Sequence, residues 1–317
     1  MPRSRIVRSS SALLALVVLG LLALAGCGQT VQEAGNQGEP VTARADPTSR
    51  VGDRAEVSDL SFTPAAFREG KVVVLPVVFP DGTRAELVYP PELDIAGLGV
   101  RPYTSGTLHG NSPTKPLRSD FVGRDFRVFY GELKDVLPVI GGGSPVLLST
   151  YKEADGQSVG FWHLPADRDV DHLAFQFGRW AVLVYDYAAA GLAGARMTEA
   201  ERASWAASFR GRETANGFLL LEGSGPLRLA RVGERAGPEL GFGTAVEPER
   251  GFSLHPGSCR PHRDQTRLVR GKLVQWNGGF ADWCASDSMR VHATGPDEFI
   301  AALIGDLDVR NVDLASS

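Results

Sequence analysis

Short apolar runs, each closed by a glycine-bearing turn, recur through this chain from residue 71 onward. Pro80-Asp81-Gly82-Thr83 separates the runs 71–79 and 84–89, and Ala154-Asp155-Gly156-Gln157 separates 145–151 from 158–164. Gly178-Arg179 stands between 172–177 and 180–187, Gly223-Ser224-Gly225 between 218–222 and 227–232, and Asn277-Gly278-Gly279 between 266–276 and 280–284. The runs around Pro80-Asp81-Gly82-Thr83 and around Gly178-Arg179 read as β-hairpins, because a parallel pair needs a crossover of a dozen or more residues. Residues 127–130, 288–294 and 307–314 read as further strands. Pro76 lacks an N–H and places the first strand at a sheet edge or a bulge.

Two stretches change period. Thr198 with Glu201 has the capping-box spacing, and Trp205 and Phe209 follow four apart, which predicts a helix over 199–209. Pro296 suits a first helical position, Asp297 and Glu298 suit the positive end of the helix dipole, and Phe299, Ile300, Leu303 and Ile304 form one apolar stripe. Gly305 is expected to stop that helix. Residues 104–120 and 233–250 read as loop, and Gly141-Gly142-Gly143 as a flexible break. The fold class expected is α+β: antiparallel, β-rich, with few short helices. Residues 56–156 form its β-rich N-terminal part and 157–317 its α+β part. Within the latter, 157–232 and 251–314 share a plan of Trp-bearing hairpin, helix and strand, and are candidate duplicate units.

The N-terminus carries different information. Arg3, Arg5 and Arg8 precede an apolar run over 12–25, then the small residues Ala25 and Gly26, then Cys27. That order is the order of a secretory signal, and the run is short of the roughly 20 apolar residues of a comfortable span. Leu24-Ala25-Gly26-Cys27 resembles the lipobox of bacterial lipoproteins. The resemblance implies a signal peptide over 1–26, a diacylglyceryl group on Cys27, and a protein held by lipid on the outer face of the cytoplasmic membrane. Arg3 and Arg5 are not adjacent, which points to the Sec route; Gly28 leaves the outer membrane open if the cell has one. Residues 27–55 are polar, with almost no large apolar side chain, and read as a flexible tether. Further on, residues 72–106 are similar to the opening of uncharacterised exported actinobacterial proteins around FPDGTRAELVYPPEL and GLGVRPY. That similarity covers a small part of the chain and implies no activity.

Charge and cysteines narrow the partners. The chain has 33 Lys and Arg against 37 Asp and Glu; the signal holds three arginines and no acid, so the mature part has 30 against 37, a net charge of -7. That balance argues against nucleic acid and against a polybasic membrane patch. With Cys27 assigned to lipid, Cys259 and Cys284 are an even pair in an exported chain and are expected to form a disulfide. A zinc site from His255, Cys259, His262 and Cys284 is the competing reading, with looser spacing than zinc motifs have. Ser112 and Lys115 have a serine-x-x-lysine spacing, but Pro113 and Pro116 argue against the helix that chemistry requires, and no Lys-Thr-Gly follows. Asp167, Asp169 and Asp171 alternate as in a calcium loop, yet His172 and Gly178 stand where an EF-hand has glycine and glutamate. His109, His163, His172 and His292 are scattered. Phe161, Trp162, Phe175, Phe177, Trp180, Tyr185, Tyr187, Trp276 and Trp283 fit either a ligand groove or a core.

No nucleophile-elbow, zinc-protease, dinucleotide or phosphate-loop pattern occurs. The sequence assigns no catalytic residue, no metal and no cofactor. It favours a lipid-anchored, non-enzymatic module that binds a ligand or an envelope protein. A hydrolase acting on envelope material without a recognisable motif, and a structural subunit of an envelope complex, are the alternatives.

Overall fold

The computed structural model describes residues 62–101, 106–110, 123–152, 158–166, 170–186, 196–225, 227–234, 237–243, 250–260 and 266–315, all within one compact unit. Cys27 with its lipobox and tether, Ser112 with Lys115, the 154–157 turn, Asp167 with Asp169, Tyr187 and His262 lie outside the described residues, as does the side chain of His109.

Every strand pairing among the described residues is antiparallel. A four-stranded sheet has the order β1 (Phe67–Glu69), β2 (Val72–Val78), β3 (Arg84–Tyr89) and β20 (Asp308–Asp313). Asp81 makes the β2–β3 turn by accepting from the N–H and the hydroxyl of Thr83. β2 is interior to this sheet, yet β1 pairs only with residues 72–74. Pro76 thus sits where the outer edge of β2 is locally unpaired, and its missing N–H costs no ladder bond.

Two seven-stranded sheets make up most of the rest. The first contains β5 (Gly106–Gly110), β6 (Gly123–Tyr130), β7 (Val146–Lys152), β8 (Ser158–His163), β9 (Asp171–Phe177) and β10 (Trp180–Tyr185), plus β13 (Leu227–Leu229), in the order β13-β5-β6-β10-β9-β8-β7. The second contains β14 (Leu240–Phe242), β15 (Gly251–Pro256), β16 (Arg267–Val269), β17 (Lys272–Asn277), β18 (Phe280–Ser286) and β19 (Met289–Thr294), plus β4 (Val100–Arg101), in the order β4-β14-β15-β19-β18-β17-β16 when read the same way. The two orders are the same. In each, a four-strand meander is preceded by two strands that pair beside its last member, and the outermost strand comes from the other part of the chain. A small sheet pairs β11 (Phe209–Glu213) with β12 (Leu219–Gly223). Positions 152 and 158 face each other in one sheet, since β7 pairs with β8.

A ten-residue helix follows each meander. These are α2 (Glu199–Ser208) after β10 and α3 (Asp297–Asp306) after β19; α1 (Leu133–Gly141) lies between β6 and β7. The capping box opening α2 is formed in full: Glu201 N–H donates to the Thr198 hydroxyl at 3.2 Å and Thr198 N–H donates to the Glu201 carboxylate at 2.8 Å. α3 runs past Gly305, and Leu307 closes it by donating its N–H to the Leu303 carbonyl. The glycine thus belongs to the last turn. α1 departs from the sequence expectation. Pro138 lies inside it, but Leu133, Val136, Leu137 and Ile140 fall on one face and Gly142 ends it with φ 59°, so packing outweighs the lost helical bond. β5, β14 and β15 likewise occupy stretches that the sequence left as loop or unassigned, and 266–276 divides into β16 and β17 at the Arg270-Gly271 turn.

One large core joins the three larger sheets with α2 and α3, and a second, smaller cluster lies under α1. Leu75 and Leu87, Phe126 and Phe175, Trp205 and Phe209, Trp283 and Val291, and Ile300 with Leu303 all belong to the large core. The aromatic residues open to two readings resolve as core: Phe161, Phe175, Phe177, Trp180, Tyr185 and Trp283 are buried, and Trp162 and Trp276 pack against buried clusters. In α3 three members of the stripe, Ile300, Leu303 and Ile304, are fully buried and the fourth, Phe299, is half-buried, with the helix against β16 and β18. Replacing Leu303 by Ala removes a fully enclosed side chain and should cost about 2–5 kcal/mol. Chemical denaturation checks this; an unchanged midpoint would place the stripe at the surface.

Candidate functional site

The shared strand order lets the two seven-stranded sheets be compared position by position. Directly opposed residues in antiparallel strands project to one face. In the first sheet Phe129 opposes Ala181, and Leu183 opposes Ala174. In the second, His255 opposes Arg290, and His292 opposes Asp282. These are the same places in the two layouts. Two residues after Phe129, Gly131 has φ 138° and donates its N–H to the Arg179 carbonyl; two residues after His255, Gly257 has φ 132° and donates to the Ser288 carbonyl. Only glycine readily adopts that backbone, and each acceptor immediately precedes the strand carrying the next residues of the quartet.

The chemistry at these places is opposite. Phe129, Ala174, Ala181 and Leu183 are apolar and buried beneath α1, forming a second cluster with Val136, Leu137 and Leu164. His255, Asp282, Arg290 and His292 are polar, and among the described residues no helix lies between β15 and β16, where the first sheet has α1 between β6 and β7. In the second sheet the same face opens as a cavity of about 760 Å³. Its walls come from the 237–239 segment, from His255 and Pro256 at the end of β15 and the 257–260 connection after it, from Leu273 and Gln275 on β17, from Asp282 and Cys284 on β18, and from Arg290 on β19.

The connection after β6 and the one after β15 are each fastened to the sheet at equivalent points. In the first sheet Leu133 N–H donates to the Gln176 side chain at 2.7 Å, and Gln176 opposes Ala181. In the second, Cys259 is joined to Cys284 by a disulfide with Cα atoms 5.7 Å apart, and Cys284 opposes Arg290. Leu133 and Cys259 each lie two residues beyond their glycine. The expected pairing of Cys259 with Cys284 is therefore present, and its location is informative: it forms part of the cavity wall. With both sulfurs in the disulfide, His255 and the cysteines make no zinc site, and no group of three metal-binding side chains occurs among the described residues.

The polar groups of this face are ordered by one another. Ser253, opposite His292, places its hydroxyl oxygen 2.8 Å from His255 Nε2. His292 Nδ1 lies 3.0 Å from the Asp282 carboxylate. That bond favours the imidazolium and raises the His292 pKa above the ordinary histidine value, against the opposing effect of burial. Burial pushes the His255 pKa down, a shift that the charge of Glu239 opposes. Of the other histidines, His163 pairs with Asp171, which also takes Arg196 at 3.0 Å, so the described aspartate of the calcium-like string is already neutralised. His172 is buried against the Tyr185 ring. Sequence reasoning named His255, Cys259 and Cys284 but missed Ser253, Asp282, Gln275 and Arg290. Their signal was the period-two polar alternation of β15, β17, β18 and β19, which also describes an ordinary solvent face.

No known protein family, no curated protein and no solved structure matches this chain.

The two histidines give the site a defined pH signature. Stabilisation by His292 is complete below about pH 6.5 and is lost as pH rises through its raised folded value. His255 acts in the opposite sense, lowering stability as pH falls from about 6.5 through its depressed value. Asp282→Asn should bring the His292 titration down while leaving the His255 titration below the ordinary range. Proton-detected NMR titration of the imidazole signals reads both; a His292 that titrates unchanged in the variant would contradict the pairing.

Proposed function

We propose that this protein is a lipid-anchored extracytoplasmic ligand-binding module, and that its ligand occupies the cavity on the outer face of the second seven-stranded sheet. The observation that carries the reading is the contrast between equivalent positions. Where the first sheet spends Phe129, Ala174, Ala181 and Leu183 on a buried cluster under α1, the second presents His255, Asp282 and Arg290 to an open cavity, with His292 bonded to Asp282 beside it. Polar groups held in place by neighbours, in a concavity of this size, are what orient a small ligand. The signal-like order of residues 1–27 supports the anchor, and a Cys259–Cys284 disulfide suits an oxidising compartment outside the cytoplasm.

The scaffold is read as a duplication. Its copies run over 84–213 and 219–313, replacing the shorter candidate units 157–232 and 251–314. Common strand order, the helix after each meander and the matched glycines support this. One copy keeps its covering helix for stability, and the other has given its cover up for binding.

A hydrolase reading would start from the Ser253–His255 contact. Ser253 is 9% exposed and is absent from the cavity walls, so it supports the histidine rather than facing a ligand. A structural-subunit reading would start from the β7 edge, where Val146, Leu147 and Leu148 are about half exposed.

Two measurements test the proposal. Cys27→Ser should move the full chain from membranes to the soluble fraction; a variant that still pellets with membranes excludes the lipid anchor. For the cavity, the full chain is incubated with small-molecule extract of cell envelopes and weighed by native mass spectrometry. A bound mass should appear on the wild type and vanish in Gln275→Trp and Ser258→Trp, which fill the cavity from its floor and its rim. Folded variants that retain the bound mass would overturn the assignment of the site.

A further inference from the structure

We infer that the ligand of this cavity is an anion, presenting a carboxylate or a phosphate to the guanidinium groups of Arg260 and Arg290. The inference rests on the reading of the cavity as a ligand site and goes further by naming the ligand's chemistry.

Charge pairing around the cavity is uneven. Asp282 is taken by His292 at 3.0 Å. Glu234 is taken by the guanidinium of Arg228, in two bonds of 2.7 and 3.0 Å, and also accepts the Arg231 N–H. Glu239 lies near enough for its charge to raise the pKa of both His255 and His292. Arg260 and Arg290 both line the cavity, both are exposed, and neither has an ion pair or hydrogen bond among the described residues. Arginines elsewhere are commonly engaged, as Arg179 is by Glu213, Arg202 by Asp186 and Arg310 by Glu69 and Glu86.

Position strengthens the charge argument. Arg290 projects from the centre of the sheet, between His255 on β15 and Cys284 on β18, at the place where the first sheet has the fully buried Ala181. Arg260 directly follows Cys259, so the disulfide holds its backbone against the same sheet. The two cations thus come from a rigid strand and from a covalently fastened connection. A planar guanidinium receives two oxygens of a carboxylate or phosphate at once, which an uncharged ligand cannot match. The volume of about 760 Å³ accommodates a ligand much larger than one anionic group, so the anion is one end of it.

The test uses inorganic phosphate and citrate as probes, glucose as the uncharged control, and sodium chloride to hold ionic strength constant. The melting midpoint of the full chain is followed as each probe is titrated. Phosphate or citrate should raise the midpoint above the sodium chloride baseline while glucose does not. Arg290→Ala and Arg260→Ala should each weaken the apparent affinity by about tenfold or more, Arg290→Lys by less, and Arg212→Ala, on β11, should leave it unchanged. No anion-specific shift in the wild type, or a shift that survives in both alanine variants, overturns the inference. The envelope-extract experiment separates this failure from that of the underlying reading. An extract ligand displaced by Gln275→Trp but bound undiminished by Arg290→Ala would defeat the anion inference alone. A ligand unaffected by Gln275→Trp would defeat the site itself.

Discussion

Reciprocal exchange of edge strands is the constraint on which this architecture depends. β4 leaves the first half of the chain to pair with β14, and β13 leaves the second half to pair with β5. The exchange is repeated below the large sheets: β3 pairs with β20, while β12 pairs with β11. Each seven-stranded sheet is therefore completed by a strand supplied by the other half. Backbone groups of β5 and β14 that would otherwise be bare edges are satisfied only when both halves are folded. The shared core has the same consequence, since residues of both sheets contribute to one buried cluster. Folding of either half alone would leave unpaired strands and exposed apolar faces, and the many long-range pairings imply slow, cooperative folding.

What was legible in the sequence follows from how local each signal is. Glycine turns and period-two runs located the β2–β3, β9–β10 and β17–β18 neighbourhoods because the information lies within a few residues. The capping box of Thr198 and Glu201 located α2 for the same reason. α1 was hidden by Pro138, although its four-residue apolar spacing was present; the deciding energy is burial against Phe129 and Leu183, which are distant in sequence or on other elements. β14 and β15 were hidden because their partners, β4 and β19, lie far along the chain. The exchange of edges is a property of pairing register alone, and no composition rule expresses it.

The site was partly legible in a similar way. An even cysteine pair is a long-range statement that a sequence can make, and it put Cys259 beside Cys284. Polar alternation on β18 and β19 says only that one face is not buried. It takes the first sheet, with Ala174, Ala181 and Leu183 at the equivalent places, to show that this face could have been covered.

Uncovering a sheet face has an energetic consequence that the disulfide answers. Burial of a large apolar side chain contributes roughly 1.5–3 kcal/mol, so a sheet with His255 and His292 where the other has Phe129 and Leu183 forgoes several kcal/mol of cover. The connection after β15 loses its reason to lie on the sheet when no apolar helix face draws it there. A covalent link closing a loop of 25 residues restores about 3–4 kcal/mol by restricting the unfolded chain. It also occupies less volume than a helix. Gln176 holds the start of α1 by accepting from Leu133 N–H and donating to the Gly131 carbonyl, while apolar burial supplies the rest of the attachment; Cys284 must hold its connection largely unaided. A cavity that stays open, with a wall that stays in place, requires an attachment strong at one point and thin everywhere else. Among natural side chains without a metal, only the disulfide provides that combination, which is why the bond lies in the cavity wall rather than in the core.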